Sequence, residues 1–195
     1  VEQIEDGSMY QGETRVIEAG IPGEALVTAD VTYVNGREQD REILESETLS
    51  EPTTRVIAVG TKVRPSWYPN GYFIWPVYGH ITSRFGYSSI FGSYSYHGGI
   101  DIATAYGTGI AAADGGTVTF AGRATGYNWS YGNLVIVDHG NGKQTYYGHC
   151  SSILVSAGDH VYQGQTIARV GSTGRSTGNH CHFEIKIGGT SVNPL

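Results

Sequence analysis

Three short stretches of the chain carry residues that can do chemistry. In His97-Gly98-Gly99-Ile100-Asp101 an imidazole and a carboxylate stand four positions apart, and the two glycines between them let the chain bend so that both face one point. His180-Cys181-His182 opens a run of strand-forming residues. Side chains alternate along a strand, so His180 and His182 share one face and Cys181 takes the other. His149 closes a hairpin further upstream. A catalytic zinc site wants three nitrogen or oxygen protein ligands and one position left open for water. Two histidines and an aspartate meet that need, and two histidines are left over for proton transfer.

The elements that must position these residues read as strands. In the second part of the chain the candidates are Thr117–Ala121, Leu134–Asp138, Gln144–Tyr147, Thr166–Val170 and Cys181–Ile187, each rich in β-branched or aromatic residues. Asn141-Gly142 between the second and third predicts a tight turn, and with it a hairpin over 134–149. Twenty-nine glycines, and no helix-period apolar stripe of useful length, fit a sheet protein with long loops. The first part reads as strands at Thr14–Ile17, Ala25–Thr28, Val31–Val34 and Arg55–Val59, with a turn at Asn35-Gly36. Gln39–Glu47 is charged and fits either a helix or a solvated strand edge. The fold class expected is all-β, with a small antiparallel β domain over 1–64. A linker carrying Pro65, Pro69 and Gly71 follows over 65–72, and a larger β domain over 73–195.

Charge supports that division. The chain has a net charge of −6, made of −7 over residues 1–64 and +1 over the remainder. Neither part has the basic patch that nucleic-acid binding needs, so that class is excluded. No run approaches the roughly 18 apolar residues of a membrane helix, so no span is expected within this sequence. The chain opens Val1-Glu2-Gln3-Ile4 without an initiator methionine. It therefore reads as a mature or cropped chain, its export signal or anchor removed.

Taken together, His97-Gly98-Gly99-Ile100-Asp101-Ile102, Tyr147-Gly148-His149 and Gly171-Ser172-Thr173-Gly174-Arg175-Ser176-Thr177-Gly178-Asn179-His180-Cys181-His182-Phe183-Glu184 resemble the lysostaphin/LytM-type zinc endopeptidases. The resemblance runs from about Phe73 to Leu195. It implies an antiparallel two-sheet β domain with a groove, and one zinc ion (Zn2+) held by His97, Asp101 and His182. His149 and His180 then take the catalytic histidine positions. It further implies peptidoglycan peptides as substrate and an extracellular location at the bacterial cell surface or wall. A non-enzymatic wall-binding scaffold or regulator of the same fold is the alternative. One departure from the pattern stands at Ser88, after Phe85-Gly86-Tyr87, where relatives often carry arginine. The aromatic loops 88–96 and 123–131, with Tyr94, Tyr96, Tyr127, Trp129 and Tyr131, either wall a substrate groove or cover the sheet.

Cys150 follows His149, and Cys181 lies between His180 and His182. If the two strands are neighbours with their histidines in the groove, both cysteines face the opposite side, within reach of a cross-strand disulfide. The other reading is two free buried thiols. His80, His139 and His160 have no partner at ligand spacing and read as structural or exposed. Residues 10–64, with Gly20, Gly23, Asn35-Gly36 and Val59-Gly60-Thr61-Lys62, resemble the five-glycine (G-five) domain. That resemblance implies adhesion or binding of wall glycan (N-acetylglucosamine), and a plain spacer is the other reading.

Overall fold

Strands dominate the regular structure of the described residues, and they fall into two units, Val1–Arg64 and Pro65–Leu195. The computed structural model describes residues 1–88 and 94–195, so the aromatic loop expected over 88–96 lies partly outside the described residues.

The first unit contains β1 (Glu2–Tyr10), β2 (Thr14–Glu18), β3 (Glu24–Val34), β4 (Arg37–Ser50) and β5 (Val56–Lys62). Strand β5 is the middle of a three-stranded sheet and holds the buried Ala58. It runs antiparallel to β2 but parallel to β1. The wholly antiparallel arrangement expected of this domain is therefore corrected to a mixed sheet. The first and last strands of the unit lie side by side, and the intervening chain makes the crossover that a parallel pair requires. Strands β3 and β4 form a long two-stranded ribbon around Asn35 (φ 53°) and Gly36 (φ 74°). The segment Gln39–Glu47 is strand. Both faces of the ribbon are largely exposed, which accounts for its charged, weakly alternating sequence.

The second unit contains β6 (His80–Ser83), β7 (Gly86–Ser88), β8 (Ser95–His97), β9 (Ile100–Ala103), β10 (Gly109–Ala111), β11 (Gly116–Arg123), β12 (Asn133–Asp138), β13 (Lys143–Gly148), β14 (Ser152–Ile153), β15 (His160–Val161), β16 (Thr166–Arg169), β17 (His180–Ile187) and β18 (Thr190–Val192). An eight-stranded sheet runs β15-β11-β12-β13-β17-β9-β6, with β18 also on β17. A three-stranded sheet β10-β16-β14 and the hairpin β7-β8 complete the unit. Strand alternation sorts the residues. Cys181, Phe183 and Ile185 of β17 and Ile100 and Ile102 of β9 enter the apolar core, together with Ile110, Val135, Val161 and Ile167. The opposite face of β17 is then left to His180, His182, Glu184 and Lys186.

Two buried polar groups tie this unit down. Asp114, 1% exposed, accepts the backbone N–H groups of Asn70 (3.0 Å), Gly71 (2.8 Å) and Gly115 (2.8 Å), so the segment 65–72 runs along the second unit. His139 is buried beside Phe73, and burial pushes its pKa below the ordinary histidine value. As a neutral ring it donates from Nδ1 to the Gly115 carbonyl (2.6 Å), and its Nε2 lies 2.7 Å from the Thr145 hydroxyl. The Tyr147 hydroxyl lies 2.8 Å from that of Thr145 and accepts the Ala113 N–H at 2.7 Å. His160 is exposed and stacks on Trp67, and His80 is exposed at the edge of the sheet.

The expected disulfide between Cys150 and Cys181 is not formed, and both thiols are free and buried. Pairing of β13 with β17 stops at Gly148 opposite His182. Continued, that register would set Cys150 opposite His180 rather than Cys181; instead His149 adopts a left-handed backbone (φ 62°) and the chain leaves the strand, with Cys150 buried in the core and not bonded to Cys181. The Cys150 thiol turns back onto the Tyr147 carbonyl (3.2 Å). Burial pushes the Cys150 thiol up to about 12 and Cys181 well above the usual range, which leaves both inert at neutral pH.

Candidate metal centre

Register brings the chemistry together. Strand β9 pairs with β17 so that Asp101 lies directly opposite His182, and β13 sets Gly148 on the other side of His182. His97 arrives from β8, joined to β9 by Gly98-Gly99. These glycines are needed for close approach. A side chain on Gly99 would sit 2.2 Å from the Phe183 carbonyl oxygen, and one on Gly98 3.0 Å from a Glu184 carboxylate oxygen.

The resulting triangle is tight. Asp101 Oδ1 lies 2.8 Å from His182 Nδ1 and 3.2 Å from His97 Nε2, and the two ring nitrogens are 3.0 Å apart. Hydrogen bonds on the far sides of the rings decide where the protons are. His97 Nδ1–H donates to the Arg84 carbonyl (3.0 Å), and His182 Nε2–H donates to Glu184 Oε1 (2.9 Å). In the neutral tautomers that these bonds favour, both rings turn a lone pair toward Asp101. Three electron-rich atoms then converge, and their natural complement is positive charge, either protons shared with Asp101 or a metal cation. Zinc bonds of about 2.0–2.2 Å in tetrahedral geometry set neighbouring ligand atoms about 3.3 Å or slightly more apart, which the triangle approaches with a small expansion. Among the described residues this is the group of at least three histidine, cysteine or carboxylate side chains suited to a metal ion. The donor set fits zinc.

The electrostatics point the same way. Burial opposes ionisation of Asp101, but hydrogen bonds from His182 and His97 override it and hold the carboxyl well below the usual range. Burial would likewise lower His182, yet bonds to Asp101 and Glu184 lift it to about 9, so the site attracts positive charge. Glu184 resists its own burial through the His182 bond and charge and the Tyr131 hydroxyl, and sits at about 2.

The two remaining histidines stand beside the triangle. His180 Nδ1–H donates to the Gly178 carbonyl (2.9 Å), and its Nε2 lies 3.6 Å from Asp101 Oδ1. His149 Nδ1–H donates to the Thr173 carbonyl (2.7 Å), and its ring centroid is 4.6 Å from that of His180. Burial, followed by the neighbouring His182 and His180 charges, pushes the pKa of His149 down to about 4. All five groups singled out from the sequence thus line one cleft of about 620 Å³. Tyr96, Tyr127 and Tyr131 line it too, whereas Tyr94 and Trp129 are exposed and lie outside that lining.

Glu184 went unassigned in the sequence. The signal for it was period two: His180, His182 and Glu184 fall on one strand face, so the carboxylate had to share the cleft side with the imidazoles.

Comparison with known proteins supplies two family matches: peptidase family M23 over residues 95–194 and the G5 domain over residues 1–62. A "DD-carboxypeptidase/endopeptidase Mpg" of Neisseria meningitidis serogroup B is 45% identical over 121 residues, which is 61% of this chain and 27% of that protein. A "Murein hydrolase activator NlpD" of Salmonella dublin is 33% identical over 190 residues, covering 97% of this chain and 43% of that protein. The chain thus spans less than half the length of these curated relatives. Among solved structures, a variant of the catalytic domain of the prophage-encoded M23 protein EnpA from Enterococcus faecalis aligns with a TM-score of 0.53 at 34% identity. That alignment covers 62% of this chain and 94% of EnpA's.

Proposed function

The chain belongs to peptidase family M23 and carries a G5 domain ahead of the matched region, and from that premise we propose that it is a zinc-dependent endopeptidase hydrolysing peptide bonds of bacterial peptidoglycan. The observation that carries the proposal is the convergence of three lone-pair atoms on His97, Asp101 and His182, with two further imidazoles at the same cleft. A closed structural zinc site has no use for the extra pair.

His97, Asp101 and His182 would hold the ion. Bound there, zinc supplies Lewis acidity, acidifying water and polarising a peptide carbonyl. The remaining work falls to His149 and His180. Each has its Nδ1–H committed to a backbone carbonyl, so each offers an unprotonated Nε2 that can take a proton from water and return it to the leaving amine. Because each Nδ1–H is committed to a backbone carbonyl, a hydrogen bond from Nε2 to the developing oxyanion would require a second proton on the ring. His149, which burial holds neutral, is the poorer candidate for that role. The cleft aromatics Tyr96, Tyr127 and Tyr131 offer walls for an extended peptide.

Replacing either His149 or His180 by alanine is expected to abolish hydrolysis of peptidoglycan peptides while one equivalent of zinc stays bound. Hydrolysis retained in both variants would overturn the assignment. A second reading has its own support, because the Salmonella relative that matches 97% of the chain is named as an activator of murein hydrolases. In that reading the chain stimulates a separate hydrolase and cuts nothing itself. The G5 unit fits a wall-directed module or a spacer, and retention of the chain on insoluble wall glycan in the presence of chelator separates the two. An extracellular location at the cell wall follows from the proposed substrate. No helix among the described residues is long and apolar enough to cross a membrane.

A further inference from the structure

Behind the metal-facing triangle lies a second polar layer that the proposed chemistry does not use. Glu184 is 3% exposed, and both its oxygens are engaged by the protein. Oε1 accepts the Tyr131 hydroxyl at 2.6 Å and His182 Nε2–H at 2.9 Å, and Oε2 lies 3.3 Å from both the Ser191 hydroxyl and the Lys186 ammonium. A carboxylate occupied on every side has little capacity left for water or substrate. Its capacity is spent on holding His182 in the tautomer that presents Nδ1 to the triangle.

Tyr131 extends that hold to the cleft wall. Its ring meets His182 edge-on at 5.4 Å, and its own carbonyl accepts the His149 N–H at 2.7 Å. It also ends the 3-10 turn Gly126–Tyr131, whose Tyr127, Asn128 and Ser130 line the cleft. One residue thus touches the cleft wall, the backbone of His149 and, through Glu184, the ring of His182.

We infer that Glu184 and Tyr131 act together as positioning residues for the metal ligand His182, setting metal affinity and tying the 126–131 turn to the ion. This rests on the zinc reading above. The physical basis is general: a carboxylate that accepts the distal N–H of a ligating imidazole fixes its ring orientation and raises the basicity of the ligating nitrogen. Tyr131 supplies one of the two donors on the oxygen that faces His182. With the hydroxyl gone, that carboxylate is freer to rotate away.

The test is zinc affinity of the full chain, measured by competition with a chromophoric chelator, for wild type, Glu184→Gln and Tyr131→Phe. Cobalt(II) absorption spectra and metal-free unfolding are recorded alongside. Glu184→Gln is expected to weaken zinc binding by about 10–100-fold. Tyr131→Phe is expected to weaken it by about threefold or more, since it removes a short hydrogen bond to a charged acceptor. Both should shift the cobalt spectrum. If Glu184→Gln fails to fold, Tyr131→Phe, which keeps the ring and its contact with His182, carries the test alone. A merely structural Tyr131 would lower the unfolding midpoint and leave affinity and cobalt spectrum at wild-type values, which overturns the inference while the zinc reading stands. Absence of zinc binding by the wild type overturns both.

Discussion

His149 is the one histidine of the cleft whose backbone lies in the left-handed region, at φ 62°, and this makes a separable prediction about strain. Three hydrogen bonds pin it there: its N–H to the Tyr131 carbonyl (2.7 Å), its Nδ1–H to the Thr173 carbonyl (2.7 Å), and the Thr173 N–H to its own carbonyl (3.4 Å). Replacement by alanine or by glycine removes the same imidazole and the same side-chain bond, so the difference between the two variants isolates the backbone. A Cβ in the left-handed region costs about 1–2 kcal/mol, which glycine avoids. Against this, glycine loses about 0.4–1 kcal/mol through the greater freedom of its unfolded chain. Glycine should therefore be the more stable of the two by roughly 0.5–1 kcal/mol, the reverse of the usual order. All three tryptophans, Trp67, Trp75 and Trp129, belong to the second unit, so tryptophan fluorescence during urea unfolding reports on that unit alone. Both variants should be inactive to the same degree. An alanine variant as stable as the glycine variant, or more so, would refute the claim that function holds this residue in strained backbone.

Two further outcomes are expected. Tyr147→Phe should destabilise the second unit by about 1–3 kcal/mol in the same assay, because the buried Ala113 N–H loses its acceptor. The pH dependence of metal-free stability has a definite sign. His139 is held below its ordinary value and His149 at about 4, so between pH 6.5 and 5 the unfolded chain binds more protons than the folded one. Stability should fall on acidification through that window, by at most about 1.4 kcal/mol per pH unit for each group. His182, raised to about 9, is protonated in the folded state throughout but only half protonated in the unfolded state at pH 6.5, so it opposes the fall at the top of the window and adds little slope near pH 5. His139→Asn should flatten the fall, and an unchanged slope would show that His139 does not contribute.

The cleft was legible because its residues obey strand rules. His180 and His182 share a face by period two, and Asn141-Gly142 (φ 51° and 72°) marks the β12–β13 turn that leads to His149. What could not be read was whatever depends on non-local pairing. Strand β1, with Glu2, Glu5 and Asp6 in nine residues, has no apolar face to betray it, because its sheet is solvated. Its parallel partner β5 lies more than forty residues on. Strand β4 looked ambiguous for the same reason, since a ribbon exposed on both faces has no pressure to alternate. The disulfide expectation failed on register: β13 pairs Gly148 with His182, which would set Cys150 against His180 rather than Cys181, an offset that adjacency in sequence does not reveal. Glu184 was visible by period but not by role, because only the fold reveals that Tyr131, Lys186 and Ser191 surround it.

Whether the zinc-bound chain itself cuts the wall is decided by mass spectrometry of defined peptidoglycan fragments, glycine-bridged and directly cross-linked, after incubation with the zinc-loaded protein and with a chelated control. A new amine end is expected with zinc and not with chelator, and its position identifies the bond that is cut. Intact fragments of both kinds, with one zinc bound per chain, would contradict the proposed hydrolysis and favour a protein that activates another hydrolase.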